Sequence, residues 1–314
     1  MSRDKFLVTG GAGFIGSNIV EELLSRGQEV VVFDDFSTGR RENLEPYLAD
    51  IELIEGDLRD ASAVQRAVRG CTYVLHQGAL PSVPRSVQNP LASNEVNVTG
   101  TLNVLLAARD AGVHRVVAAS SSSIYGESPS LPKVETMPVL PMSPYAVSKL
   151  ASEKYCAAFH KVYGLETVAL RYFNVFGPRQ DPTSQYSAVI PRFITAMMQG
   201  TRPVIYGDGH QSRDFTYVAN VVEANLRACH ATGAAGDFFN VACGERYSLL
   251  DLLSTLSNIT GIPAEAQHEP ARAGDVKHSL ADISKIHRVM GFEPRVNFRK
   301  GLEKTVAHFS QVTA

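Results

Sequence analysis

Two features of this chain predict an α/β protein built on a doubly wound parallel sheet: short β-branched runs alternate with helix-period segments, and a glycine-rich turn follows the first run. The runs occupy residues 6–9, 30–33, 51–54, 73–76, 115–118 and 167–171. They are apolar almost throughout, with little in/out alternation, which is the mark of parallel strands covered on both faces. The covering helices are legible between them. Ile15, Ile19 and Leu23 share one helical stripe, and Val98, Leu102, Leu105 and Leu106 share another. Right-handed crossovers then place a ligand crevice at the carboxyl ends of the strands. After Arg171 the pattern loosens, with Pro178, Pro182, Pro191 and Pro203 breaking it into short elements until residues 238–241. The expected division is a sheet domain over 1–171, with returning segments near 214–241 and 280–300, and a smaller mixed α/β lobe from 172–213 and 242–279. No low-complexity linker separates the two, so they exchange chain.

Composition excludes several classes of function. A net charge of −2 on 314 residues gives no electrostatic bias toward nucleic acid or an anionic membrane surface. No apolar run approaches the roughly 20 residues that cross a bilayer, and a strand pattern begins at Lys5 without an apolar leader, so a cytoplasmic protein is expected. Cys71, Cys156, Cys229 and Cys243 form no CxxC pair and the histidines form no HExxH, which predicts buried free thiols and no metal.

The segment from Thr9 to Gly16 carries the first motif that implies chemistry. Gly10 permits the tight turn after the strand, Gly13 lets backbone approach a pyrophosphate at the helix N-terminus beside Phe14 and Ile15, and Gly16 allows helix and strand to pack closely. With a strand before it, a helix after it and an acidic residue at the next strand end, the motif predicts a Rossmann-type dinucleotide site. Asp34 is placed to accept hydrogen bonds from the adenosine ribose and to repel a 2′-phosphate, which favours NAD over NADP. Asp35 is the alternative for that role. Asp57, after the third strand, is read as an adenine contact or equally as a turn cap.

The second motif is the segment from Ser143 to Lys149, which opens a helix with Ser143 as N-cap and Pro144 in its first turn. Tyr145 and Lys149 then lie at i and i+4 on one face. A tyrosine titrates near pH ~10, so removing a proton from a sugar hydroxyl requires a nearby cation to favour the phenolate, and Lys149 supplies one. The run from Ser120 to Ser123 follows another strand whose end reaches the same crevice.

On these motifs, together with Asn97-Val-Thr-Gly-Thr, the segment ending Tyr125-Gly126, residues 170–174, Arg213-Asp-Phe and residues 274–284, the chain resembles an extended short-chain dehydrogenase/reductase, specifically a UDP-sugar 4-epimerase, from Lys5 to about Phe298. The resemblance implies Tyr145 as base, Lys149 as its pKa-lowering partner and Ser121 as the serine on the reacting oxygen, with Ser122 or Ser123 toward the sugar. It further implies NAD contacts at Leu58, Asn97, Ser120 and Tyr172. In the reaction it implies, the C4 hydroxyl loses its proton to Tyr145 while the C4 hydride passes to NAD. The resulting 4-keto sugar rotates about its diphosphate link and takes the hydride back on the other face. Related dehydratases and decarboxylases carry a carboxylic acid where this chain has Ser122 and Ser123, which leaves epimerisation.

For the substrate, the resemblance places Arg213 and Arg272 on the diphosphate, where guanidinium forks suit phosphate oxygens, Asn174 on a phosphate and Asp275 on the nucleotide ribose. One position shortly after Arg-x-Gly-Asp gates the space beside sugar C2, and here it is Ser279, small enough to admit an N-acetyl group. UDP-N-acetylglucosamine and UDP-N-acetylgalactosamine are therefore the expected pair, with UDP-glucose and UDP-galactose also accepted. A uronic acid is the rival, since Arg85 is positioned to pair with a C6 carboxylate. Pro81 departs from the glucose/galactose enzymes, which carry a lysine there. A net dehydrogenase or reductase, and a non-catalytic NAD-binding protein, are the other classes sharing this fold. A homodimer through the helix after Asn94 and the helix of Tyr145 is expected from the relatives.

Overall fold

A computed structural model describes residues 3–181, 188–263, 265–270 and 277–313. Seven parallel strands form the central sheet: β1 (Lys5–Thr9), β2 (Glu29–Asp34), β3 (Ile51–Glu55), β4 (Tyr73–His76), β5 (Arg115–Ser121), β6 (Glu166–Tyr172) and β7 (Asp237–Val241). Their order is β7-β6-β5-β4-β1-β2-β3, and every neighbouring pair is parallel. The order reverses between β1 and β4, so the crossover helices on either side leave a crevice above the ends of those two strands.

Both faces of the sheet are dry. Phe6, Val8, Val30, Val32 and Leu75 point to one side, where Ile19, Val20 and Leu23 of helix α1 (Phe14–Ser25) cover them. Leu7, Val31, Phe33 and Val74 point to the other, under Val64 and Val68 of α2 (Ala61–Val68) and Val104 and Leu105 of α3 (Gly100–Asp110). A strand buried on both faces needs apolar residues at successive positions, which is why the strand runs read as continuous.

Helix α4 (Pro144–Tyr163) lies against β5 and β6 and ends on Gly164 in the left-handed conformation. Glu153 on its inner face forms a bidentate pair with Arg171 of β6, at 2.9 Å from Nε and 2.7 Å from Nη2, and each side chain is 1% exposed. Ser120 donates to the same carboxylate at 2.9 Å, and Arg171 donates to the Tyr125 hydroxyl at 2.7 Å. A buried pair of this kind gains little net stability against an apolar core, but losing either partner strands a charge in it. Its main effect is to fix where α4 sits.

The chain returns to the sheet through α5 (Val218–His230) and β7. The remainder forms a smaller mixed lobe of three two-stranded pieces, 216–217 with 175–176, 212–213 with 247–248 and 204–206 with 267–269, packed with helices Val189–Met198, Leu249–Thr260 and Phe298–Thr313. Buried Asp214 joins this lobe to the sheet end by accepting from the amides of Cys243, Gly244 and Ala281 at 3.0, 3.1 and 3.1 Å. No helix among the described residues is long and apolar enough to cross a membrane.

Candidate functional site

Above the β1–β4 reversal lies a cleft of about 840 Å³ whose lining includes Gly10, Gly13, Phe14, Ile15, Gly16, Asp34, Leu58, Arg85, Ser120, Tyr145, Lys149 and Tyr172. The glycine loop forms its floor. A Cβ on Gly16 would lie 2.1 Å from the Gly10 carbonyl, so helix α1 reaches this close to β1 only with glycine there. A Cβ on Gly13 would meet just the Gly10 oxygen, at 3.1 Å, and would otherwise fill the space above the loop. Gly13 is also the N-cap of α1 and offers no side chain, which leaves the first-turn amides facing the cleft. An uncapped N-terminus in a glycine cradle fits the pyrophosphate of a dinucleotide.

Asp34 braces the loop from the end of β2, accepting from the amides of Ala12 at 2.9 Å and Phe36 at 2.8 Å, and its burial pushes its pKa up. Asp35 spends its carboxylate on the amide and hydroxyl of Ser37. Two expected cofactor contacts have other occupations. Asp57 accepts from the Arg59 amide at 2.8 Å and pairs with its guanidinium, which lowers its pKa, while its neighbours Gly56 and Leu58 line the cleft instead. Its carboxylate thus makes the local turn contact. Asn97 is 1% exposed, in a π-helical turn over Glu95–Thr99, and its amide is committed to Leu80 N at 2.7 Å, Leu80 O at 3.3 Å and Ser148 Oγ at 2.9 Å. It shapes the cleft wall without facing the cleft.

Tyr145 enters from the first turn of α4. Ser143 caps that turn through Ala146 N at 3.1 Å, and the Tyr145 amide donates to Ser86 Oγ at 3.0 Å. Buried Ser86 was not among the expected residues, and no local signal marks it. Lys149 sits one turn further and donates to the Ala119 carbonyl of β5 at 3.0 Å. Burial lowers the lysine to about 8. Burial also raises the Tyr145 phenol, and the influence opposing it is a hydrogen bond from Ser121. The sequence assigned that downward pull to Lys149. In the NAD-free structure the Lys149 ammonium is directed to the strand carbonyl, and Ser121 stands beside Tyr145 and favours its ionised form. Ser123 donates its hydroxyl to Ser121 Oγ at 2.9 Å, so it stands behind Ser121. Tyr172 presents its ring to the cleft while its hydroxyl lies 3.1 Å from Gln77 Oε1 and accepts from Asn225 Nδ2 at 2.8 Å.

Asn174 and Arg213 line a second cavity of about 240 Å³ in the smaller lobe, with Tyr206 and Phe215. Asn174 has φ +35° and divides its amide between the Asp214 carbonyl at 3.1 Å and Ser279 Oγ at 3.0 Å. Ser279 therefore stands directly behind Asn174. Arg213 donates to the carbonyls of Ser212 and Lys277 at 3.0 and 3.1 Å. Arg272 and Asp275 lie outside the described residues. A wider cavity of about 1070 Å³ beside α1 is crossed by ion pairs of Arg26 with Glu22 and Glu223 and of Arg179 with Glu21. Among the described residues no three of His, Cys, Asp and Glu converge as a metal site.

Residues 6–242 match the model of the NAD dependent epimerase/dehydratase family. A UDP-glucose 4-epimerase of Mycolicibacterium smegmatis is 40% identical over 307 residues, covering 96% of this chain and 97% of that protein. The structure of a UDP-N-acetylglucosamine 4-epimerase from Methanobrevibacter ruminantium M1, in complex with UDP-N-acetylmuramic acid, superposes with a TM-score of 0.95 at 41% identity, covering 99% of this chain and 100% of that one. A Thermus thermophilus UDP-glucose 4-epimerase in complex with NAD gives 0.89 at 41% identity, covering 98% and 99%. The chain belongs to the NAD dependent epimerase/dehydratase family, in the UDP-sugar 4-epimerase branch of the extended short-chain dehydrogenases/reductases, and its cofactor is NAD.

Proposed function

We propose that this protein interconverts the C4 epimers of a UDP-N-acetylhexosamine, UDP-GlcNAc and UDP-GalNAc, through a 4-keto sugar. The observation that carries the reading is that Tyr145 and Lys149 line one end of the cleft, with Ser121 beside Tyr145 and serines at the neighbouring positions 122 and 123. NAD bound on the glycine loop supplies reversible acceptance of the C4 hydride. Tyr145, as the phenolate that a hydrogen bond with Ser121 favours, takes the C4 hydroxyl proton to become the phenol and later returns it. Ser123 backs Ser121. Lys149 holds positive charge between the strand end and the nicotinamide ribose. With no carboxylic acid in the serine run, elimination has no acid at hand. The lobe of residues 172–213 and 242–279 holds the nucleotide, with Asn174, Arg213 and Arg272 on the diphosphate and Asp275 on the ribose. Its grip on the diphosphate lets the ketone turn its other face.

The N-acetyl assignment rests on the small size of Ser279, which is hydrogen-bonded to Asn174 of the second cavity's lining, and is supported by the similarity to the M. ruminantium enzyme. The cytoplasm suits the four free cysteines. A second copy of the chain is the proposed partner. Leu91 and α4 residues Val147 and Val162 are 68%, 52% and 68% exposed, an apolar surface that a four-helix contact between two protomers would cover.

Incubation of the NAD-loaded protein with UDP-GlcNAc, UDP-Glc and UDP-GlcA separately is expected to yield the C4 epimer of UDP-GlcNAc fastest. Epimer from UDP-GlcA alone would replace the N-acetyl reading with the uronate one, and epimer from none would end both. Tyr145→Phe is expected to lose at least ~10²-fold in turnover while retaining NAD, and full activity would remove Tyr145 as the base. Ser279→Tyr is expected to cut turnover of UDP-GlcNAc far more than that of UDP-Glc. Equal losses would refute the steric gate.

Lys149 predicts a pH effect on stability. Its proton is released near pH 8 in the folded NAD-free chain but near pH ~10.4 when unfolded, so between those values the unfolded state binds more protons and stability gains with rising pH. Below pH ~8 the burial cost is constant. Wild type should therefore gain on Lys149→Met across this window, by at most about 1.4 kcal/mol per pH unit in urea unfolding, and parallel curves would contradict the burial. For the assembly, Leu91→Asp with Val162→Asp should convert a dimer to monomer in light scattering. A persisting dimer would place the contact elsewhere.

A further inference from the structure

His76 ends β4 at the point where the strand order reverses, is 5% exposed, and has no part in the chemistry described so far. Both ring nitrogens are hydrogen-bonded, Nδ1 to Thr9 Oγ1 at 2.7 Å and Nε2 to Thr101 Oγ1 at 3.0 Å. Counting hydrogens orients the chain. Thr101 Oγ1 lies 2.5 Å from the Asn97 carbonyl, which can only accept, and 3.2 Å from Ser152 Oγ, whose own hydrogen goes to the Asn97 or Ser148 carbonyl, so the one hydroxyl hydrogen of Thr101 goes to Asn97, the nearer acceptor. Thr101 must then accept from His76, which puts the ring hydrogen on Nε2. Nδ1 in turn accepts from the Thr9 hydroxyl, whose oxygen accepts from the Gly78 amide at 3.2 Å. The opposite tautomer would leave the Thr9 hydroxyl hydrogen without an acceptor among the described residues and would pull Thr101 off the Asn97 carbonyl. A doubly protonated ring would orphan Thr9 as well. Burial, with the Lys149 ammonium acting in the same direction, pushes the His76 pKa down to about 3.

Each end of this chain is a wall of the site. Thr9 precedes the glycine loop, and Gly78 lines the cofactor cleft. At the other end Asn97 fixes Leu80 of the same wall and donates to Ser148, which donates to the Tyr145 carbonyl at 2.8 Å. The five-membered ring is the rigid spacer of this path, because its two contacting nitrogens are held at a fixed separation.

We propose that His76 is a positioning residue, held neutral with its hydrogen on Nε2, that sets the spacing between the glycine-loop side of the cofactor cleft and the helical turn carrying Tyr145. This role rests on the assignment of Tyr145 as the base in the proposed function. Displacements of about 1 Å at a reacting centre cost as much as ~10²-fold in rate, so a spacer of fixed length is a kinetic device.

Nitrogen NMR of the holoenzyme labelled with ¹⁵N-histidine, from pH 5 to 9, tests the tautomer, with His76→Gln identifying the signal. One ring should keep a protonated Nε2 and a bare Nδ1 throughout. Titration near pH 6.5, or a hydrogen on Nδ1, would overturn the proposal. In kinetics, His76→Leu should lower kcat by about 10-fold to 100-fold with KM changed less than about twofold, and His76→Gln, whose amide can still donate to Thr101, should recover a substantial part. Equal loss in both would mean that the hydrogen-bonded spacing is not what matters. Should His76→Leu fail to fold, Thr101→Val leaves the ring in place and should show the same kcat loss, and an unchanged kcat would overturn the role. If wild type turns over no UDP-hexose, the epimerase reading falls by itself. The tautomer, and NAD release from His76→Leu expected at least about fivefold faster than wild type, would still decide this proposal, with an unchanged rate counting against it.

Discussion

The Glu153–Arg171 pair is the constraint on which the catalytic geometry depends. Two opposite charges in a dry interior must find each other in good geometry, because neither has water to fall back on. Here the demand is met by one carboxylate on α4 and one guanidinium on β6, with Ser120 and the Tyr125 hydroxyl taking up further hydrogen-bonding capacity. Tyr145, Lys149 and Glu153 are spaced at i, i+4 and i+8, so fixing the third fixes the rotation of the other two. The helix cannot roll without separating the charges. That is why a tyrosine and a lysine at the start of α4 face the end of β5 and not solvent.

The smaller lobe is tied by the same logic at lower charge. Asp214 lends its carboxylate to three backbone amides from two segments, and its carbonyl and amide to Asn174 and Ser279. Burial raises that carboxyl to about 6 even though three amides favour its charge, so desolvation outweighs the hydrogen bonds. The sheet end that carries Tyr145 and the smaller lobe are thus each organised by one buried acid.

Much of this was legible in the chain. The strands were readable because a sheet covered on both faces needs unbroken apolar runs, and the glycine loop because backbone contact with a pyrophosphate excludes side chains at fixed spacing. The i, i+4 relation of Tyr145 and Lys149 is local and so also visible. The partners of Asp57 and Asn97 within the chain were not legible for a shared reason: the residue type suits a cofactor contact, but what else it bonds depends on neighbours. Arg59 satisfies Asp57 at close range, whereas Asn97 is taken by Leu80 and by Ser148, 51 positions away. Ser86, which orients the Tyr145 amide across 59 positions, and His76, which bonds Thr9 across 67, owe their roles to partners that only folding brings near.

The four free thiols have a consequence of another kind. Cys71, Cys156 and Cys229 are buried and Cys243 is half-buried, and burial raises their pKa values to about 11, 12, 12 and 12. The thiolate is the reactive species, and at neutral pH the folded chain holds almost none of it. Alkylating or disulfide reagents therefore find these sulfurs only when the surrounding structure opens. The native chain thus carries built-in clocks for its own breathing, one beneath α2, one inside α4, one inside α5 and one beside Asp214, each reporting the opening of a different part of the fold.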